Sequence, residues 1–172
     1  MPNLPAAVAE LLATSHPVAL GPGAPNESLR AKLKAACALL PPACAAGLWL
    51  RFDFLDESHA ISQELHSPEG SYWHGILHRR EPDFSNAAYW FRRVPGHAVY
   101  EPLRVEAARL AADGPARAAF LRTQAKWDPF AFIDLCEADY KETAACHQLC
   151  RLMQRAEWEL LFGHCWRQAA GE

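Results

Sequence analysis

Apolar positions recur along most of this chain at the three- and four-residue intervals of amphipathic helices, and prolines or glycines interrupt the pattern at short intervals. The breaks fall at Pro41-Pro42, within His66–Ser71, at Glu81-Pro82, at Val94–His97, at Asp113–Pro115 and at Trp127–Pro129. Proline lacks the amide hydrogen a helix interior needs and restricts the residue before it, so each break predicts a boundary. Ser71, Asp83 or Ser85, and Asp128 stand where a side-chain oxygen would cap the next segment, and Pro129 suits a first helical turn. The run from Lys141 to Gln168 holds strong helix formers and few breakers, and is expected to form the longest helix.

One stretch is ambiguous. In "LWLRFDFL", Leu48 to Leu55, apolar residues alternate as they would in a strand, but no second strand candidate exists to pair with it, so helix is predicted there as well. The expected fold is all-α: a single-domain bundle of about six or seven helices over residues 1–172, with an irregular loop near 16–28, "HPVALGPGAPNES". A chain of this length buries roughly 70% of the surface its unfolded form exposes, enough for one core.

Charge narrows the function classes. The net charge of −3 supplies no basic field, which argues against nucleic acid as a partner. No apolar run approaches the ~20 residues of a membrane span, and the N-terminal "MPNLPAAVAELL" carries no basic region before its apolar stretch. The expectation is a soluble, cytoplasmic protein with no membrane partner. Six cysteines without an export signal are expected to be free thiols, and Cys146 and Cys150, four apart, to share a helix face as small apolar residues. Serine-nucleophile, phosphate-loop and dinucleotide glycine motifs are absent.

The chemistry concentrates in Glu69–Val94. With side chains about 100° apart around a helix, Ser71, His74, His78 and Glu81 fall on one face. Histidines at i and i+4 can reach one metal ion, and Glu81 could add a carboxylate. The zinc-peptidase pattern needs a glutamate after the first histidine; Gly75 stands there, so that chemistry is excluded in its usual form. A third ligand has to come from elsewhere, with His59, Glu64, His66 and His97 as candidates. His59 leads, because helical spacing puts it on the Leu48/Phe52/Leu55 face with Asp56 three residues before it. Asp53 and Asp56 are candidate supporting acids.

On the next segment, Asn86, Tyr89 and Arg93 form a polar arc suited to orienting a substrate, and Arg79 and Arg93 could hold a small anion in a guanidinium fork. The competing explanation for "RREPD" is intramolecular, with the arginines tied to Glu81 and Asp83 at the corner between helices. The tryptophans read as core, Asp134, Glu137 and Asp139 mainly as a solvated face, and His147 and His164 have no evident role.

The run "YWHGILHRREPDFSNAAYWFRRV", with "LDESHAISQE" before it, resembles the signature stretch of a family of uncharacterised proteins. The resemblance covers a minority of the chain and implies no activity. Three readings follow from the residues. One is a small metal-dependent enzyme, with a zinc-like divalent ion on His74, His78 and His59, with His59, His74 and Glu81 as catalytic groups, and with Asn86, Tyr89, Arg93 and Arg79 binding a polar or anionic small molecule. The others are a metal-free module for a small anion and a structural or interaction protein that self-associates as a homodimer through tryptophan-rich faces.

Overall fold

Alternating helix formers and breakers produce helices and nothing else among the described residues, which in this computed structural model are 3–142 and 145–171. In chain order they are α1 (Ala6–Ala13), α2 (Arg30–Cys37), α3 (Pro42–Arg51), α4 (Leu55–Ser62), α5 (Pro68–Arg80), α6 (Phe84–Phe91), α7 (Tyr100–Leu110), α8 (Phe120–Thr123), α9 (Pro129–Glu142) and α10 (His147–Ala170). Short 3-10 turns occupy Glu27–Leu29 and Ala116–Ala118. Ten helices among the described residues exceed the six or seven expected, because several breaks cut segments down to helices of only four to eight residues.

The stretch "LWLRFDFL" is one such cut. α3 stops at Arg51, Asp53 takes a positive φ of 66°, and α4 starts afresh at Leu55. His59 therefore reaches the interior on a separate helix and not on an extension of α3. The long C-terminal helix is α10, with 24 residues, but α9 ends at Glu142 before it begins; residues 143 and 144, which the same expectation covered, lie outside the described residues.

α5 is the central element. It lies against α6, α4 and α3, while α10 runs along α7, α3 and α9. Every α5 residue from Gly70 to Arg80 is buried, the state expected of a helix that is apolar around most of its circumference. Its cap is Ser67, whose hydroxyl accepts the Gly70 amide hydrogen at 3.2 Å with Pro68 in the first turn; the expected cap, Ser71, is inside the helix. α6 folds back along α5 because Asp83 caps it, accepting from Asn86 N–H at 3.1 Å. Close approach has a specific cause: a Cβ on Gly75 would sit 2.7 Å from the Phe91 ring, and one on Gly47 would sit 2.6 Å from the Trp73 ring. Glycine lets α6 and α3 come this near to α5.

The two arginines ending α5 do not tie the α5–α6 corner. Arg79 is fully buried, pairs with Glu157 of α10 and has its guanidinium 4.6 Å from the Phe132 ring centroid. Arg80 pairs with Asp53 and donates to the carbonyls of Leu50 (2.6 Å), Gly21 and Pro22 (each 3.1 Å). Arg51 donates to the His16 carbonyl, Arg151 to that of Val18 and Gln154 to that of Ala19, at 2.6–2.8 Å. The irregular 16–28 loop is thus held by core side chains that satisfy backbone groups no helix could satisfy. One contiguous set of buried apolar side chains, from Val8 to Cys165, lies beneath these elements, and all six cysteines are buried free thiols within it.

Candidate metal centre

His74 and His78 lie one turn apart on α5, with ring centroids 4.8 Å apart and nearly parallel. His59 comes in from α4 edge-on, 4.5 Å from His74 and 5.6 Å from His78. One nitrogen from each ring lies within 4.8 Å of the others, so all three can address one ion. Of the four candidates for a third position, His59 is the one that stands beside the α5 pair. Glu64 and His66 are exposed, and His97 joins a different group, Glu69 and His164.

Burial disfavours charge on the two α5 rings. Burial, reinforced by the neighbouring His78 and His59, pushes the His74 imidazole down to about 3, and its Nδ1 is buried without a hydrogen-bond partner. Burial also lowers His78, against the opposing pull of Glu81. Glu81 Oε2 lies 2.8 Å from His78 Nδ1, while the Asn86 amide lies 3.0 Å from Nε2. An amide N–H donating to Nε2 places the ring's proton on Nδ1, where the carboxylate accepts it. A carboxylate on one nitrogen with a lone pair on the other is the tautomer of a metal-binding histidine, and an ion at Nε2 would take the place of the Asn86 amide.

The rim is built by α6. Trp90 stacks flat on His74, with centroids 3.8 Å apart and planes within 10°. Arg93 places its guanidinium 5.1 Å from the Trp90 ring centroid and donates to the Tyr89 hydroxyl at 3.2 Å. Asn86 therefore meets the histidine set directly at His78, whereas Tyr89 and Arg93, both exposed, pack against Trp90 and not against an imidazole. Trp90, assigned to the core on composition, is only half-buried and forms the wall of the site; its i+4 spacing from Asn86 was the available signal.

Other expected contributors lie elsewhere. Arg79 faces Glu157 inside the molecule, so of the two arginines expected to hold an anion only Arg93 is exposed, and it reaches the neighbourhood of the histidines through Trp90. Asp53 serves Arg80 and His16, and Asp56 is exposed. Asp139, expected on a solvated face, is buried and accepts from Cys146 N–H at 3.0 Å, with His147 Nδ1 3.1 Å away. A cleft of about 550 Å³ near the α5–α6 turn is lined by Asp83, Phe84, Ile133 and Tyr140 among others, and not by the three imidazoles.

Fold and site together define an all-helical protein carrying a three-histidine cluster with a carboxylate behind one ring. No protein-family model, curated protein or solved structure matches the chain. No helix among the described residues is long and apolar enough to cross a membrane.

Proposed function

We propose that this protein is a small metal-dependent enzyme in which His59, His74 and His78 hold one zinc-like divalent ion. The observation that carries the reading is the convergence of three imidazole nitrogens within 4.8 Å, including the ring with its Nδ1 buried and unpartnered. Three neutral ligands leave the full charge of the ion available, and a three-histidine set leaves one coordination position for water or a substrate oxygen. The chemistry best matched to that centre is metal-assisted addition of water to a polar or anionic small molecule.

Within that reading the chain's own groups have distinct tasks. Glu81 fixes the His78 tautomer and, open to solvent at the end of α5, is the nearest acid–base group shown beside the site. Asn86 and Tyr89 offer hydrogen bonds at the rim, and Arg93 supplies the charge that attracts an anion. Trp90 shields one face of His74 from water.

The test is zinc uptake by protein purified without a histidine tag, read by elemental analysis and chelator competition. His59→Ala, His74→Ala and His78→Ala each lose one equivalent relative to the parent chain, and Glu81→Gln weakens that equivalent about 10- to 100-fold. Unchanged uptake in all three alanine variants would overturn the assignment. Activity on ester, amide and phosphoester probes is expected to vanish with chelator and return with zinc. A metal-free anion module is the second reading, favoured by Arg93 at the rim; it predicts a ligand-induced thermal shift that chelator leaves intact.

A further inference from the structure

A second convergence stands apart from the first. Glu69 in the opening turn of α5, His97 in the connection between α6 and α7, and His164 in the last third of α10 bring one ligand atom each to within 4.8 Å of the others. Both imidazoles aim Nε2 at the same carboxylate oxygen: Glu69 Oε1 lies 3.3 Å from His164 and 3.6 Å from His97. The rings stand 4.7 Å apart at 65°. The His97 side chain is 3% exposed and its Nε2 is buried with no hydrogen-bond partner. Glu69 and His164 are slightly more open, at 12% and 16%, which gives the cluster an edge toward solvent.

We propose that Glu69, His97 and His164 form a second divalent metal site, independent of the histidine centre and shaped for a borderline transition-metal ion such as Zn(II) or Fe(II). Two imidazoles and one carboxylate suit such an ion, while harder calcium and magnesium prefer oxygen donors. The carboxylate offsets one charge of the ion, and the pKa of Glu69 is already low: burial raises it, but its own backbone N–H, Ser67 and His164 outweigh that.

A hydrogen bond on His97 makes the proposal sharply testable. The Val99 N–H donates to Nδ1 at 3.2 Å, so the proton of the neutral ring sits on Nε2, facing Glu69. Coordination through Nε2 moves that proton to Nδ1 and breaks the Val99 bond. One backbone hydrogen bond is small against the bonds a metal forms. At the first centre His78 has only to release the Asn86 amide from Nε2, with its proton already on Nδ1 and no change of tautomer, so the first centre is expected to fill before the second.

The site would act as a clasp. It ties the irregular segment carrying His97 to α5 and α10, whose pairing residues Glu69 and His164 are 95 positions apart. Titrating metal-stripped protein with Zn(II) against a chromophoric chelator should give two equivalents per chain. His164→Ala and the volume-conserving Glu69→Gln should each lose the weaker one, and His59→Ala only the stronger. In parallel, the backbone amide resonance of Val99 should shift during the second equivalent and stay fixed in Glu69→Gln. Failure of the first centre alone would leave the Glu69-dependent equivalent in place. If Glu69→Gln binds as much zinc as the parent chain, or the Val99 amide does not respond, the second site is wrong.

Discussion

Single side chains set the pH response of this protein. His74 is held neutral because its ring is buried against His78 and His59; burial also lowers His78 and, in the other cluster, His97 beside His164. In the unfolded chain these rings titrate near 6.5. With the folded pKa lowered, the unfolded state binds more protons as pH falls, so the stability they contribute is whole above about pH 6.5. The His74 share is lost progressively toward about 3, the pH at which that folded ring itself takes a proton, and the His78 and His97 shares fall in the same direction. The metal-free protein should therefore melt at a nearly constant temperature from pH 7 to 8 and at falling temperatures from pH 6 to 4. The loss should approach ~1.4 kcal/mol per pH unit for each ring kept neutral. Thermal melts across that range check it; a melting temperature that rises on acidification would contradict the burial of these rings. Residues read singly from the sequence fared unevenly. The i, i+4 pair His74/His78 and the i+3 partner Glu81 were legible because one helix dictates their spacing, whereas Arg79, whose partner Glu157 is on another helix, was not.

At the scale of elements, the site depends on how closely α6 lies on α5. Gly75, between His74 and His78, is where the Phe91 ring presses in. Gly75→Ala forces a methyl group into that contact and is expected to destabilise the fold by about 1–3 kcal/mol despite alanine's better helix propensity. Denaturant unfolding should show a lower midpoint with an unchanged slope, and zinc affinity at the first centre should fall in step as Trp90 and Asn86 move off the histidines. A rise in stability would mean that the α5–α6 gap gives way at no cost. Element boundaries were the hardest feature to foresee. Ser67-Pro68 and Asp83 announce α5 and α6 by local chemistry, but the break after Arg51 depends on Asp53 being drawn to Arg80 and to the Ala24 amide, contacts between residues far apart in sequence.

For the molecule as a whole, buried charge links the layers. Arg79 and Glu157 join α5 to α10 with both side chains fully enclosed, so each is costly without the other. Arg79→Met leaves the Glu157 carboxylate stranded and should cost about 3–5 kcal/mol, while Arg79→Met combined with Glu157→Leu should recover most of the loss. Chemical denaturation of the two variants measures the coupling; equal costs in both would mean that lost packing, not the stranded charge, sets the penalty. By itself the sequence determined what is local: helical character, the Asp83 cap of α6, the absence of strands among the described residues, and the stripe of His74, His78 and Glu81, since periods of three and four residues need only one backbone. The tertiary structure decided which of the four candidate residues stands beside that stripe, namely His59, that Trp90 covers it, and that Glu69, His97 and His164 meet. Convergence of separate helices is set by which apolar faces bury against which, and no spacing along the chain records that choice.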